Sequence, residues 1–255
     1  MSALRRVVRA PGLWVSLYAL QLALALVLAR PLRAAVSAAL EPFAYTGPLE
    51  GLLMTFGRLS SQNAAVMAVA TSALVTGTLL GLLLWIVAGG GIIRRLAGPC
   101  KPGEAFAAAI TYTPKIALVT LYVEIPRGLV VFLTVGDPLG APLSLRVVAL
   151  ALGWIACTLA LDIARSRVVL AGARVLDPRA LLAAFAELGR SPRRTALAAV
   201  IACLQAGVVA GIALLVIWFF GQPWTLWAAR GLALVGVGLA LWRVACAVER
   251  VDAQP

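Results

Sequence analysis

Long apolar segments separated by short charged segments run along the whole of this chain. Six of the apolar segments have 19 residues or more, and a helix needs about 20 residues to cross the hydrocarbon core of a bilayer. We therefore predict an all-α fold: a polytopic membrane helix bundle with six transmembrane helices in a single integral membrane domain, residues 1–255. The predicted spans are residues 11–29, 64–93, 105–133, 143–161, 195–220 and 224–247.

The first apolar segment, residues 11–29, has two interpretations. Three arginines precede it, as they would in a secretory signal peptide. Its apolar core exceeds the roughly 7–15 residues of a signal peptide, and Arg30 and Arg33 follow it closely. A retained first span is therefore favoured over a cleaved signal.

Three shorter stretches have the periodicity of interfacial amphipathic helices. They are residues 31–41, residues 48–59 and residues 178–189, the last preceded by Asp177 as a helix cap and opened by Pro178. Each is too short to cross a membrane, so we predict that they lie on the membrane surface or against the bundle. For the first two, packing elements are favoured over a lid above a substrate site.

Composition and charge placement agree with a membrane location. Hydrophobic residues make up 62% of the chain, above the roughly 45–50% of soluble domains. The net charge is +12, but the basic residues flank the apolar segments instead of forming a stripe interleaved with aromatic residues. The predicted partners are therefore the lipid bilayer with anionic inner-leaflet lipids, together with other membrane subunits or a second copy of the chain, and no nucleic acid.

Basic residues also predict the orientation. Fifteen lie at the ends and in the loops assigned to one side of the membrane, against four on the other side. The segment 162–194 alone carries seven and is the strongest signal. By the positive-inside rule both termini are cytoplasmic. Because 20 of the 22 basic residues are Arg, we expect a multi-pass protein of the inner membrane of a bacterium with a GC-rich genome.

Ionisable side chains in or beside the spans are the candidates for a polar site, because each costs roughly 2.5–3.5 kcal/mol at the bilayer centre unless it is paired. These candidates are Lys115, Glu124, Arg127, Asp162, Arg165 and Arg230.

Their pairing leaves two interpretations open. Glu124 and Arg127 are three residues apart on one helical face, which favours a local salt bridge. Asp162 is the first choice as partner for Lys115, with Arg165 as its alternative partner, and Arg230 is placed to meet Glu124. The functional alternative is that these groups line a path for an ion, a proton or an anionic headgroup.

Two GxxxG sequences predict close helix packing. Gly77 and Gly81 share one helical face, and so do Gly207 and Gly211, so a neighbouring helix backbone can approach them. The run Gly89-Gly-Gly91 is expected to form a flexible exit from the second span.

No motif for catalysis is recognisable. The chain has no His, its four Cys are far apart, and it contains no Walker loop, nucleophile elbow or zinc motif. We therefore expect no catalytic residue, no metal and no cofactor, and do not expect an enzyme.

Some sequence segments resemble a known group of membrane proteins. These are Gly89-Gly-Gly-Ile-Ile-Arg-Arg-Leu96, Gly103-Glu-Ala-Phe106, Asp162-Ile-Ala-Arg165 and Asp177-Pro-Arg-Ala-Leu-Leu. They resemble families of bacterial six-span inner-membrane proteins of uncharacterised function, which are themselves similar to the membrane domain appended to some glycerophosphodiester phosphodiesterases. The resemblance implies the architecture, and no activity, because these residues include no phosphodiesterase domain.

Two classes of function follow from these observations. The favoured one is a non-catalytic membrane protein that serves as a scaffold or as an accessory subunit of a transport or envelope complex. The alternative is a small transporter or channel with a polar path through the third span.

The orientation predicts the outcome of a fusion experiment. A reporter enzyme that works only in the periplasm should be inactive when it is fused after Pro255, because the positive-inside rule places that end in the cytoplasm. A cytoplasmic reporter at the same position is the control and should be active. Periplasmic reporter activity would contradict the orientation.

Overall fold

The computed structural model describes residues 3–40, 64–136, 140, 142–172, 178–218 and 223–252. Of the described residues 93% are helical and none is in a strand. The all-α fold class is therefore confirmed. The helices are α1 (Ala3–Val8), α2 (Pro11–Leu40), α3 (Ala64–Ala97), α4 (Pro102–Val135), α5 (Leu143–Leu170), α6 (Pro178–Arg190), α7 (Pro192–Trp218) and α8 (Pro223–Asp252).

Proline marks where most of these helices begin. The first residues of α2, α4, α6, α7 and α8 are all proline. Its missing N–H is no loss there, because the first turn has no internal acceptor, and its fixed φ suits a helix. At α4 the Glu104 side chain also accepts a 3.2 Å hydrogen bond from the Lys101 N–H. The same helix continues through Pro114 and Pro126.

Five helices are long and apolar enough to cross a membrane. Their spanning segments are Val75–Ala97, Pro102–Val135, Leu143–Leu170, Pro192–Ile212 and Trp227–Asp252. In α2 the apolar stretch of described side chains, Pro11–Val27, is shorter. A membrane helix bundle is therefore confirmed, and the predicted count of six spans depends on whether α2 also crosses.

The predicted interfacial segments have different outcomes. Residues 31–40 do not form a separate helix, because α2 runs without a break from Pro11 to Leu40. This stretch is rich in Ala and Leu, which are strong helix formers, and Arg30 does not stop the helix. Residues 48–59 lie outside the described residues. Residues 178–189 are helical, as α6, which packs against α5 and α7.

The buried core occupies one half of the bundle, the half that contains α1 and the end of α8. We call it the packed half, and it comprises residues 3–17, 89–100, 112–123, 157–170, 184–202 and 237–251. In the opposite half the helices expose large apolar side chains such as Leu79, Leu145 and Val209. Exposed apolar residues of this kind suit contact with lipid.

Glycines of α3 bring two backbones into contact in the packed half. A Cβ built on Gly90 would lie 2.6 Å from the Ala108 carbonyl oxygen of α4, and one built on Gly91 would lie 2.6 Å from that of Ala105. These glycines are helical and buried, so the flexible exit expected at residues 89–91 is wrong.

The GxxxG glycines are placed differently. A Cβ on Gly81, Gly207 or Gly211 would meet nothing within 4 Å. Gly77 is partly buried. Among the described glycines the close contacts with neighbouring helices are therefore at Gly90, Gly91, Gly153 and Gly238, and the face of Gly207 and Gly211 stays open.

A methyl group added at Gly90 should destabilise the protein. Gly90→Ala places a Cβ against the α4 backbone, which cannot move aside, and overpacking of this kind costs about 1–3 kcal/mol. Gly81→Ala on the same helix is the matched control and should leave the thermal unfolding temperature in detergent unchanged or higher, because Ala is the better helix former. Equal unfolding temperatures for the two variants would contradict the close contact.

Candidate functional site

A buried ion pair joins α5 to α8 in the packed half. Arg243 Nε donates a 2.6 Å hydrogen bond to Asp162 Oδ2, and the two side chains are 14% and 5% exposed. Arg243 Nη1 also donates, at 2.8 Å, to the Gln205 side-chain oxygen of α7. One carboxylate and one guanidinium therefore connect three helices.

A second arginine lies one turn further along α5. Arg165 Nη2 donates a 2.8 Å hydrogen bond to Thr120 Oγ1 of α4. Thr120 can accept it because its own hydroxyl proton goes to the Ile116 carbonyl, at 2.7 Å. Arg165 is 7% exposed. Its bond to Thr120 joins α5 to a fourth helix, α4.

The energetics explain why these groups are joined. A buried charge without a partner costs several kcal/mol, and breaking a buried pair by removing one partner costs about 3–5 kcal/mol. Hydrogen bonds between α4, α5, α7 and α8 offset this cost only while the helices keep their positions relative to one another along the bundle axis. The network therefore fixes the register of the bundle.

Asp162 has a different partner from the expected one. It pairs with Arg243, whereas Lys115 is exposed and lies over the ring of Tyr112 on its own helix, 5.6 Å from the centroid. Arg165, its alternative partner, bonds Thr120 instead. The expectation was wrong because it considered the nearest charges along the sequence, whereas Arg243 lies 81 residues after Asp162.

One signal in the sequence points to Arg243. Asp162 and Arg243 each lie within five residues of the cytoplasmic end of a predicted span, at positions 161 and 247. Their shared depth makes a pair possible, since an ion pair in a membrane needs both groups at one height. Gln205 and Thr120 are also polar residues inside predicted spans, which makes them candidates for bonding to these charges.

The pair Glu124 and Arg127 is present as a local salt bridge on α4. Arg127 also donates a 3.2 Å hydrogen bond to the Thr158 hydroxyl of α5 and lies over the Trp154 ring, 4.7 Å from its centroid. Arg230 does not meet Glu124: it lies over the ring of Trp227 on its own helix, at 5.2 Å. Glu124 and Arg127 therefore bond within α4 or between α4 and α5, and Arg230 contacts its own helix, α8.

Further bonds hold α6 against the bundle. Arg167 of α5 pairs with Glu187 at 3.3 Å, and Arg190 approaches the same carboxylate at 3.6 Å. Arg250 of α8 donates a 3.0 Å hydrogen bond to Thr195, whose hydroxyl donates to the Leu188 carbonyl. The amphipathic helix is therefore part of the packed half.

Helix α1 is bonded to the end of the chain. The Ala3 N–H donates at 3.1 Å to the Glu249 carboxylate, and Arg6 pairs with Asp252 at 2.7 Å. Arg6 also donates to the Leu96 and Ala97 carbonyls at the end of α3. Both ends of the described chain and the end of α3 consequently meet at one end of the bundle.

The described residues bring together no group of three potential metal ligands among His, Cys, Asp and Glu. Their four cysteines are free thiols, and Cys100, Cys157 and Cys246 are buried. Comparison of the chain with protein-family models, with curated proteins and with solved structures finds no match.

The bond between α5 and α8 predicts unequal effects for two carboxylate substitutions. Asp162→Asn should lower the free energy of unfolding by about 3–5 kcal/mol, because it leaves Arg243 buried without a carboxylate. Glu124→Gln is the comparison: this carboxylate is 33% exposed and its pair lies within one helix, so its removal should cost less than that of Asp162. Thermal unfolding in detergent measures both. A Glu124→Gln loss as large as that of Asp162→Asn would contradict this assignment.

Proposed function

We propose that this chain is a non-catalytic polytopic protein of the bacterial inner membrane, a scaffold or accessory subunit of a transport or envelope complex. The observation that carries the proposal is the use of the buried charges. Asp162, Arg243 and Gln205 bond one another across three helices, and Arg165, beside Asp162 on α5, bonds Thr120 of a fourth. Groups that carry cargo must exchange partners, whereas these are engaged in holding the bundle.

The inward face of α4 supports the same function. Ile116, Val119 and Val123 are buried there and pack in the apolar core clusters. A polar path through α4 would need a row of polar side chains along this face, whereas Thr120, the buried polar residue among these three, is bonded to Arg165. Lys115, the lysine of this helix, is exposed on another face.

Six spans and cytoplasmic termini complete the proposed topology. The bonds from Ala3 to Glu249 and from Arg6 to Asp252 put the two chain ends at one end of the bundle. An even number of crossings is needed for that, which supports α2 as a sixth span beside the five long apolar helices. Two arginines counted toward the cytoplasmic side, Arg165 and Arg250, are buried, and thirteen remain against four.

Anionic lipids of the inner leaflet are the proposed lipid partner. Exposed basic residues surround the end of the bundle where the termini meet, and each such residue near an anionic surface contributes about 1 kcal/mol of attraction. They include Arg5, Arg94, Arg95, Lys101, Arg190, Arg193 and Arg194.

Protein contacts of the scaffold are proposed for the GxxxG faces. Gly207 is exposed, and no atom lies within 4 Å of a Cβ built on it or on Gly211. Such a face lets another transmembrane helix approach closely, either from a second copy or from another subunit.

Cysteine labelling separates a scaffold from a transporter. In a chain whose four cysteines are replaced by Ala, Val119→Cys and Val123→Cys should not react with a charged, membrane-impermeant thiol reagent, because their side chains are buried against apolar neighbours. Lys101→Cys, at an exposed position before α4, is the positive control and should react in inside-out vesicles. Reaction at both valine positions would indicate a water-filled path along α4 and would favour the transporter.

A further inference from the structure

A narrow cleft lies where α3, α5 and α8 meet. Asp162 and Arg165 supply its polar wall, and Trp85, Ile92 and Val244 are among the residues of its apolar wall. The space has room for about one water-sized particle. It lies within the packed half, enclosed by helices that pack against one another.

Arg165, which lines this cleft, has an unsatisfied donor. The residue is 7% exposed, and its Nη2 is occupied by Thr120. Its Nε–H is buried and has no hydrogen-bond partner in the part of the chain that the structure describes. No described carboxylate lies within salt-bridge distance of Arg165, since Asp162 is engaged by Arg243.

The charges around the cleft do not balance. Arg165 and Arg243 carry two positive charges against the single negative charge of Asp162. The adjacent pair Glu124 and Arg127 is neutral as a whole. One positive charge is left over, next to apolar walls that strengthen electrostatic attraction.

A bound anion would supply both the missing hydrogen-bond acceptor and the missing negative charge. Water at the Arg165 Nε–H would complete its hydrogen bonding but would leave the charge, and an uncompensated charge inside a membrane protein is expensive. The available space is too small for a phosphate group or a lipid headgroup, so an anion bound there must be monoatomic. The apolar wall is not a substitute partner, because it offers no acceptor.

We propose that Arg165 binds one small monovalent inorganic anion of the size of chloride in the cleft between α3, α5 and α8. The anion sits at the Arg165 Nε–H and neutralises the cluster formed with Asp162 and Arg243. The site does not depend on the scaffold function, since a structural anion stabilises a bundle of any function.

Thermal unfolding of the full chain in detergent tests the proposal. When chloride replaces gluconate at constant ionic strength, the unfolding temperature should rise saturably by about 2–4 °C, because a ligand that binds the folded state stabilises it by mass action. Bromide should replace chloride, and phosphate should not. An unfolding temperature that is the same in chloride and gluconate would overturn the site, and so would a rise with phosphate alone.

Two variants locate the effect. Arg165→Gln removes the charge that holds the anion and should abolish the response to chloride. Arg127→Gln is the matched control: it removes a buried arginine of the neighbouring helix that has its own carboxylate, so it should keep the chloride response even if it lowers stability. A response retained in Arg165→Gln would overturn the assignment. If that variant does not fold, broadening of the chloride NMR signal by the wild-type protein, relieved by bromide, decides in its place.

Discussion

The ion pair between Asp162 and Arg243 is the interaction on which the rest of this bundle depends. Lipid offers a charged group no hydration, so the two side chains must remain at the same height and in contact. This requirement fixes α5 against α8, which are far apart in the sequence, and the bond to Gln205 adds α7. The most continuously buried segments of the chain, residues 157–169 and 237–251, lie around the pair.

The sequence predicts the helices well, because the bilayer demands long apolar segments and because proline marks their first turns. The predicted spans that correspond to α3, α4, α5, α7 and α8 agree with these helices, apart from turns at the helix ends. The end of the first helix is not predicted, since the Ala-rich stretch after Arg30 stays helical as far as Leu40. A single arginine after an apolar segment therefore does not mark where a helix ends.

Pairings and contacts between helices were much harder to predict. A GxxxG spacing shows which glycines share a face but not which face meets a neighbour, so Gly90 and Gly91 were overlooked in favour of Gly81 and Gly211. In the same way the partner of Asp162 depends on which helices are adjacent, and sequence distance carries no information about that. Glu124 and Arg127 were paired correctly because both lie on one helix, where spacing alone determines contact.

In our proposal the charges inside this protein serve its architecture, and the leftover charge of Arg165 holds a small anion. The most direct test of that claim is a double-mutant cycle between Asp162 and Arg243, measured as free energies of unfolding in detergent. If the pair holds α5 to α8, Asp162→Asn combined with Arg243→Gln should cost less than the sum of the two single substitutions, with a coupling of about 1–3 kcal/mol. Strictly additive losses would contradict the claim, because they would mean that the two residues stabilise the bundle independently.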